Sequence, residues 1–177
     1  MKIASWRFYH INCFFLATCG LLLIGCLNPF APAATDNIGL SSGLLTDQET
    51  PEAVLKNLKY AYTFKDSLVY SDLFDSTFIF RSWDFNVSPP VPIQWGRDVE
   101  LRTTARMFHF FRNLNLNWNA TLFLNFDSTG QNAEMKRTFT LTLDGGQQIP
   151  TLNGEVIFKF IRKGDRWFIT FWEDLRI

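Results

Sequence analysis

Two stretches of alternating apolar and polar residues constrain this chain more than any other feature. From Leu114 to Phe126, one parity carries Leu114, Leu116, Trp118, Ala120, Leu122, Leu124 and Phe126. The other carries Asn115, Asn117, Asn119, Thr121 and Asn125, with Phe123 as the exception. From Met135 to Leu143, Met135, Arg137, Phe139, Leu141 and Leu143 alternate with Lys136, Thr138, Thr140 and Thr142. Successive strand side chains point to opposite faces, so each stretch predicts a strand with one buried and one solvated face. Glu155 to Arg162 and Trp167 to Leu175 flank Lys163-Gly164-Asp165-Arg166, which predicts a tight hairpin. The C-terminal half is therefore an antiparallel sheet that needs something apolar against its buried face.

The preceding segment supplies it. Thr50-Pro51-Glu52 is a helix start: a hydroxyl to cap, proline in the first turn, an acid near the positive end. Leu55, Leu58 and Tyr62 form one stripe, widened by Val54, Ala61 and Phe64, and the helix should stop near Lys65. Asp66 can cap a second helix, Ser67 to Phe74, burying Leu68, Leu73 and Phe74. Thr77 to Phe80 then predicts a buried strand. Ser88-Pro89-Pro90-Val91-Pro92 predicts a loop, since three prolines remove three donors. A third helix, about Asp98 to Arg112, presents Leu101, Ala105, Phe108 and Phe111 on one face. Helices early and strands late predict an α+β domain over residues 50–177, with the N-terminal helices packed in a strongly curved antiparallel sheet.

Composition agrees with one packed domain. The chain has 177 residues, 16% of them aromatic and only 19% charged. It therefore carries enough apolar side chain to offset the entropy of ordering, which a disordered chain does not. Seventeen basic residues balance seventeen acidic ones, which excludes a strongly basic nucleic-acid binder.

The first residues read as an export address. Lys2 and Arg7 precede Ile11–Ile24, an uncharged and mostly apolar run. The run is 14 residues long, short of the roughly 20 needed to span a bilayer core, so it predicts a secretory signal over 1–25 rather than a membrane span. It ends in Leu23-Ile24-Gly25-Cys26, which resembles the bacterial lipobox. Cys19 fits less well, because Thr18 precedes it. The resemblance implies cleavage before Cys26 and lipidation of its thiol, which makes membrane lipid the expected partner of Cys26. Leu27 after that Cys, by resemblance to enterobacterial sorting, favours the outer membrane, with the inner membrane as the alternative, and the domain on the periplasmic side. Cys13 and Cys19 leave with the signal, so no disulfide is expected in the mature domain. Residues 26–49, with Pro29, Pro32 and a Gly- and Ser-containing stretch, predict a flexible tether. The alternative is an arm packed on the domain through Ile38, Leu40, Leu44 and Leu45.

Several local patterns share one fold. They are Ala61-Tyr62 with Lys65-Asp66 closing the first helix, and Leu73-Phe74-Asp75 followed by Phe78-Ile79-Phe80. Ile93-Gln94-Trp95-Gly96-Arg97 before the third helix and the terminal Trp167 to Asp174 complete the set. Together they resemble the nuclear-transport-factor-2-like superfamily, which includes SnoaL-like cyclases and ketosteroid isomerases. The resemblance covers roughly 50–177. It implies a curved sheet wrapping the first helix into a cone, often with a pocket, and dimers through the sheet face.

The family's isomerases use an acidic base near the end of the first strand and a Tyr on the first helix. Overlaying the patterns puts Arg81 and Leu58 at those places, with Asp84 and Tyr62 as the nearest substitutes, so isomerase chemistry is not supported. His109 is the one His outside the signal, and a dehydratase-like pair would need Asp66, Asp84 or Asp174 beside it. One such His and no mature Cys besides Cys26 give no zinc ligand set. Asp72 and Asp75 read as solvated helix residues. No glycine loop cradles a phosphate, so neither a metal nor a cofactor is expected.

The aromatic residues carry the remaining signal. Tyr62, Arg81, Trp95, Phe108, Trp118, Trp172 and Asp174 are the candidate pocket residues: rings for the wall and a few polar groups to orient a ligand. The same rings could instead fill the cone as core. Asp174, if inward, needs a partner such as Arg81, Arg97 or a Tyr hydroxyl. Two functions stay open. The leading one is a non-catalytic module binding a small apolar ligand or an envelope protein. The other is a SnoaL-like lyase or isomerase.

Overall fold

The computed structural model describes residues 43–84, 87–146 and 150–176. The expected signal, Cys26 and the tether up to residue 42 lie outside them. Among the described residues the order is α1 (Pro51–Phe64), α2 (Ser67–Asp72), β1 (Phe74–Asp84), β2 (Val91–Gly96), α3 (Arg97–Phe110), β3 (Asn113–Phe126), β4 (Asn132–Asp144), β5 (Thr151–Lys163) and β6 (Arg166–Arg176). No helix of the described residues is long and apolar enough to cross a membrane.

Both early helices begin where side chains satisfy their free amides. Thr50 Oγ1 accepts from Ala53 N at 3.1 Å, and Asp66 Oδ1 accepts from Leu68 N and Val69 N at 3.0 Å each. Between them Lys65 adopts a left-handed conformation, φ 54°, and Asp66 N donates back to Ala61 O. That turn joins the two helices through two residues.

The strands form one six-stranded sheet in the order β2-β1-β6-β5-β4-β3. Every neighbouring pair is antiparallel except β1 with β6, which run parallel. Irregular register interrupts β1/β6 once and β3/β4 and β5/β6 twice each. Such bulges bend a strand and raise its twist, which is how a flat ladder becomes a curved one. Leu55, Leu58 and Ala61 of α1 are buried against its inner face in a cluster with Phe78, Met135, Phe158, Phe160 and Ile169.

Several details depart from the sequence reading. The packed chain starts before residue 50. Thr46 N donates to Asn57 Oδ1 at 2.8 Å, Asn57 Nδ2 donates to Thr46 O at 2.9 Å, and Trp167 N donates to Gln48 O at 2.8 Å. The end of the expected tether is therefore fixed by backbone hydrogen bonds. Leu45 is half-buried there and Leu44 is exposed, while Ile38 and Leu40 lie outside the described residues.

In α2 it is Tyr70, at 1% exposure, that faces the core, and Leu68 is 82% exposed. The helix ends at Asp72, so Leu73 and Phe74 are buried beyond it. Asp75 lies in β1 and is buried, paired with Lys163, while Asp72 pairs with Arg166. The proline segment ends in strand β2: Pro92 sits on an edge strand, where a missing N–H costs little. In α3 the buried row is Glu100, Thr104 and Phe108, whereas Ala105 is exposed.

Candidate functional site

A cavity of about 210 Å³ opens between α3 and the inner face of the sheet. Tyr62 comes from α1, Phe80 and Trp95 from β1 and β2, and Glu100, Thr103, Thr104 and Met107 from α3. Leu116, Trp118, Phe139, Leu141 and Leu152 line it from β3, β4 and β5, and Trp172 and Asp174 from β6.

The sheet delivers these side chains by parity, with one correction. Thr170 falls in the register irregularity between Ile169 and Phe171. Ile169 below the bulge and Trp172 above it are therefore both buried on the inner face, and Asp174 follows Trp172 at the next inward position. Thr170, expected in register with Trp172 and Asp174, instead donates from Oγ1 to Lys159 O.

The walls are rings held in fixed orientations. Phe80 and Trp95 stack with centroids 4.3 Å apart. Trp172 meets Phe158 at 5.0 Å and Phe80 at 5.9 Å. Each indole N–H is committed: Trp95 Nε1 donates to Glu100 Oε2 at 2.7 Å, Trp172 Nε1 to Asp174 Oδ1 at 2.7 Å, and Trp118 Nε1 to Leu55 O at 2.9 Å. A buried indole turned by its N–H cannot rotate to close a void without giving up that bond.

Glu100 is the polar hub. At 5% exposure it accepts from Tyr70 Oη at 2.6 Å and Thr104 Oγ1 at 2.9 Å on Oε1, besides Trp95 on Oε2. Asp174 is less well served, with Trp172 as its hydrogen-bond donor. Burial, opposed by the Trp172 bond and assisted by the Glu100 charge, pushes its carboxyl up to about 6. Burial also pushes the phenols of Tyr62 and Tyr70 well above their ordinary value. The Glu100 charge acts in the same direction on both, and the Asp174 charge does so on Tyr62.

Of the residues singled out from sequence, Tyr62, Trp95, Trp118, Trp172 and Asp174 come together on this cavity. Phe108 and Arg81 do not. Phe108 is buried core, edge-on to Tyr62 at 5.5 Å and Tyr70 at 5.7 Å. Arg81 lies one residue beyond Phe80 and so points to the other sheet face. There its Nε and Nη2 donate to Glu173 Oε1 and Oε2 at 2.7 and 2.6 Å, and its guanidinium covers Phe171. Neither Arg81 nor Arg97 partners Asp174, because Arg97 donates to the carbonyls of Phe74 and Ser71. His109 is exposed on α3, and Leu58 is core.

Sequence reasoning missed Glu100, Thr104, Tyr70, Phe80 and Met107. The signal for the first two was the helical row running back from Phe108 in steps of four, which apolar counting passes over because its members are polar. Among the described residues no group of three or more His, Cys, Asp or Glu could hold a metal ion.

The sequence matches no family model and no curated protein. Solved structures do match. A protein provisionally named a scytalone dehydratase, from Novosphingobium aromaticivorans, superposes with a TM-score of 0.60 at 16% identity, over 71% of this chain and 80% of that one. A Nostoc punctiforme protein of unknown function with a cystatin-like fold gives 0.54 at 12% identity, over 73% and 92%. A Streptomyces avermitilis protein, provisionally a dehydratase of the nuclear-transport-factor-2-like family, gives 0.53 at 17% identity, over 74% and 96%. The helix-filled curved sheet and these neighbours together show that the domain has the nuclear-transport-factor-2-like α+β cone fold.

Proposed function

We propose that the cone binds one small, largely apolar molecule in the cavity between α3 and the sheet. Lipid on Cys26 would hold the exported chain at a bacterial membrane, the outer one by the residue that follows. The observation that carries the binding reading is the aromatic cavity itself, with a few convergent polar groups at Glu100 and Asp174. At about 210 Å³ it is smaller than the roughly 300–1,000 Å³ of drug-sized sites, which suits a ligand of about one ring.

Native mass spectrometry of residues 41–177, one compact unit, tests this together with solvent extraction of the protein from its host. The expected result is a stoichiometric apolar adduct that Trp172→Ala abolishes. A domain that stays empty against a panel of single-ring compounds would refute it. The anchor is tested separately: globomycin should cause unprocessed precursor to accumulate, and a mature chain starting anywhere but Cys26 would refute lipidation.

One observation favours a catalytic reading. A carboxyl held at about 6 in an apolar cavity is poised to accept a proton near neutral pH, and two structural neighbours carry dehydratase names. Under that reading Asp174 is the base, and proton exchange from a bound carbon acid stops in Asp174→Asn.

A further inference from the structure

The unspent polar capacity of the cavity points to the charge of its ligand. The indole N–H groups of Trp95, Trp118 and Trp172 and the hydroxyls of Tyr70 and Thr104 all donate within the protein. The Tyr62 hydroxyl lies against Tyr70, and Thr103 stands exposed at the rim. Two carboxylates remain as acceptors. A carboxylate offers about four lone-pair sites; Glu100 uses three and Asp174 one. The cavity therefore has more to accept with than to donate.

No lining residue is Lys, Arg or His, so the two carboxylates meet no positive charge on the cavity wall. Two nearby cations are engaged elsewhere: Arg81 pairs with Glu173 on the other sheet face, and Arg97 is bound to two carbonyls. Arg137 lies over the Trp118 ring, its Nε buried without a hydrogen-bond partner, and does not line the cavity. Two like charges facing an apolar space are costly unless a cation joins them. Beside Met107 and three leucines, the rest of the wall is largely ring surface, whose negative π-faces also favour a cation over an anionic group.

Resting on the binding reading above, we propose that this cavity takes an organic cation: a compact primary or secondary amine on a single-ring apolar body. The ammonium donates to Asp174, and the body lies against Phe80, Trp95 and Trp118. An ammonium carries donors and no acceptor, which matches the capacity left in the site. A carboxylate ligand would meet Glu100 and Asp174 with nothing to balance it. A metal ion is a poorer fit, since two carboxylates without a third ligating side chain do not complete a coordination shell.

Calorimetric titration of the full chain in lipid nanodiscs tests this, with empty nanodiscs as the blank and 2-phenylethylamine, 2-phenylethanol and phenylacetate as probes of equal size. The amine should bind at least about tenfold more tightly than the alcohol, as expected for one charge-assisted hydrogen bond with ring contacts, and phenylacetate should not bind. Asp174→Asn should bring amine and alcohol together. If the alcohol or phenylacetate binds as well as the amine to the unmodified chain, the cation proposal falls and the apolar site stands. If no probe binds, both fall. The wild-type ranking decides the matter by itself, independently of the variant.

Discussion

At one end of the cone Phe74 and Phe78 meet at 4.5 Å, Tyr70 and Phe74 at 4.8 Å, and Phe158 and Phe160 at 5.9 Å, with Ile169 and Met135 filling the gaps. At the other, Phe80, Trp95, Trp118 and Trp172 surround open space. Both ends are rich in aromatic rings. The difference lies in what orients them. Apart from Tyr70, whose hydroxyl reaches Glu100, the rings at the filled end carry no donor and settle in tilted or edge-to-face contacts. Indoles at the hollow end are turned by their N–H groups toward Glu100, Asp174 and the Leu55 carbonyl. Hydrogen-bond direction overrides close packing there, and a cavity survives.

Truncation at the filled end should have the largest effect. Phe78→Ala removes a ring at 1% exposure and leaves a void that rigid neighbours cannot close. It should cost about 3–5 kcal/mol in urea unfolding. A loss below about 1 kcal/mol would mean that this end is no better packed than the hollow one.

The hollow end should respond to charge rather than volume. Asp174 ionises in the folded domain at about 6 rather than 3.8, so folding favours its protonated form. That stabilisation is complete below about pH 4 and is lost as pH rises through about 6. Asp174→Asn should therefore raise stability at pH 7 by about 2 kcal/mol and leave it unchanged near pH 4, read from paired denaturant curves. Asp75, at the filled end, has the opposite sign. Burial opposes its charge, but hydrogen bonds from Lys163 and Thr77 hold it at about 2. Its contribution is present above about pH 4 and is lost as pH falls through 2.

The smallest effect belongs outside both ends. Leu68→Ser, on the exposed face of α2, should change stability by less than about 0.5 kcal/mol. A larger loss would place Leu68 in contact with something beyond the domain.

Most of the architecture was legible in the sequence because the signals were local. Thr50 and Asp66 cap the helices they were expected to cap, and the parity of β4 predicted the inward set from Met135 to Leu143. The misses trace to non-local causes. Strand β2 has too many prolines nearby to look like a strand, and it exists because β1 offers it an edge. The bulge at Thr170 shifts parity within β6, which no periodicity in that stretch announces. Part of the site was visible in the tryptophans and Asp174. Glu100 was not, because a buried carboxylate is explained only by the donors that surround it, and these come from α2, β2 and α3.

The Thr46–Asn57 clamp has a mechanical consequence. Beyond the exposed Lys56–Gly43 contact, tension applied to the chain ahead of residue 46 reaches a reciprocal amide pair on the middle of α1, and the Gln48–Trp167 bond to the start of β6 next. Load is thus handed to two elements of the core in succession instead of unzipping α1 from its first turn. A domain pulled from its N-terminal side would resist as a unit until those few bonds yield, with Asn57 acting as the fuse.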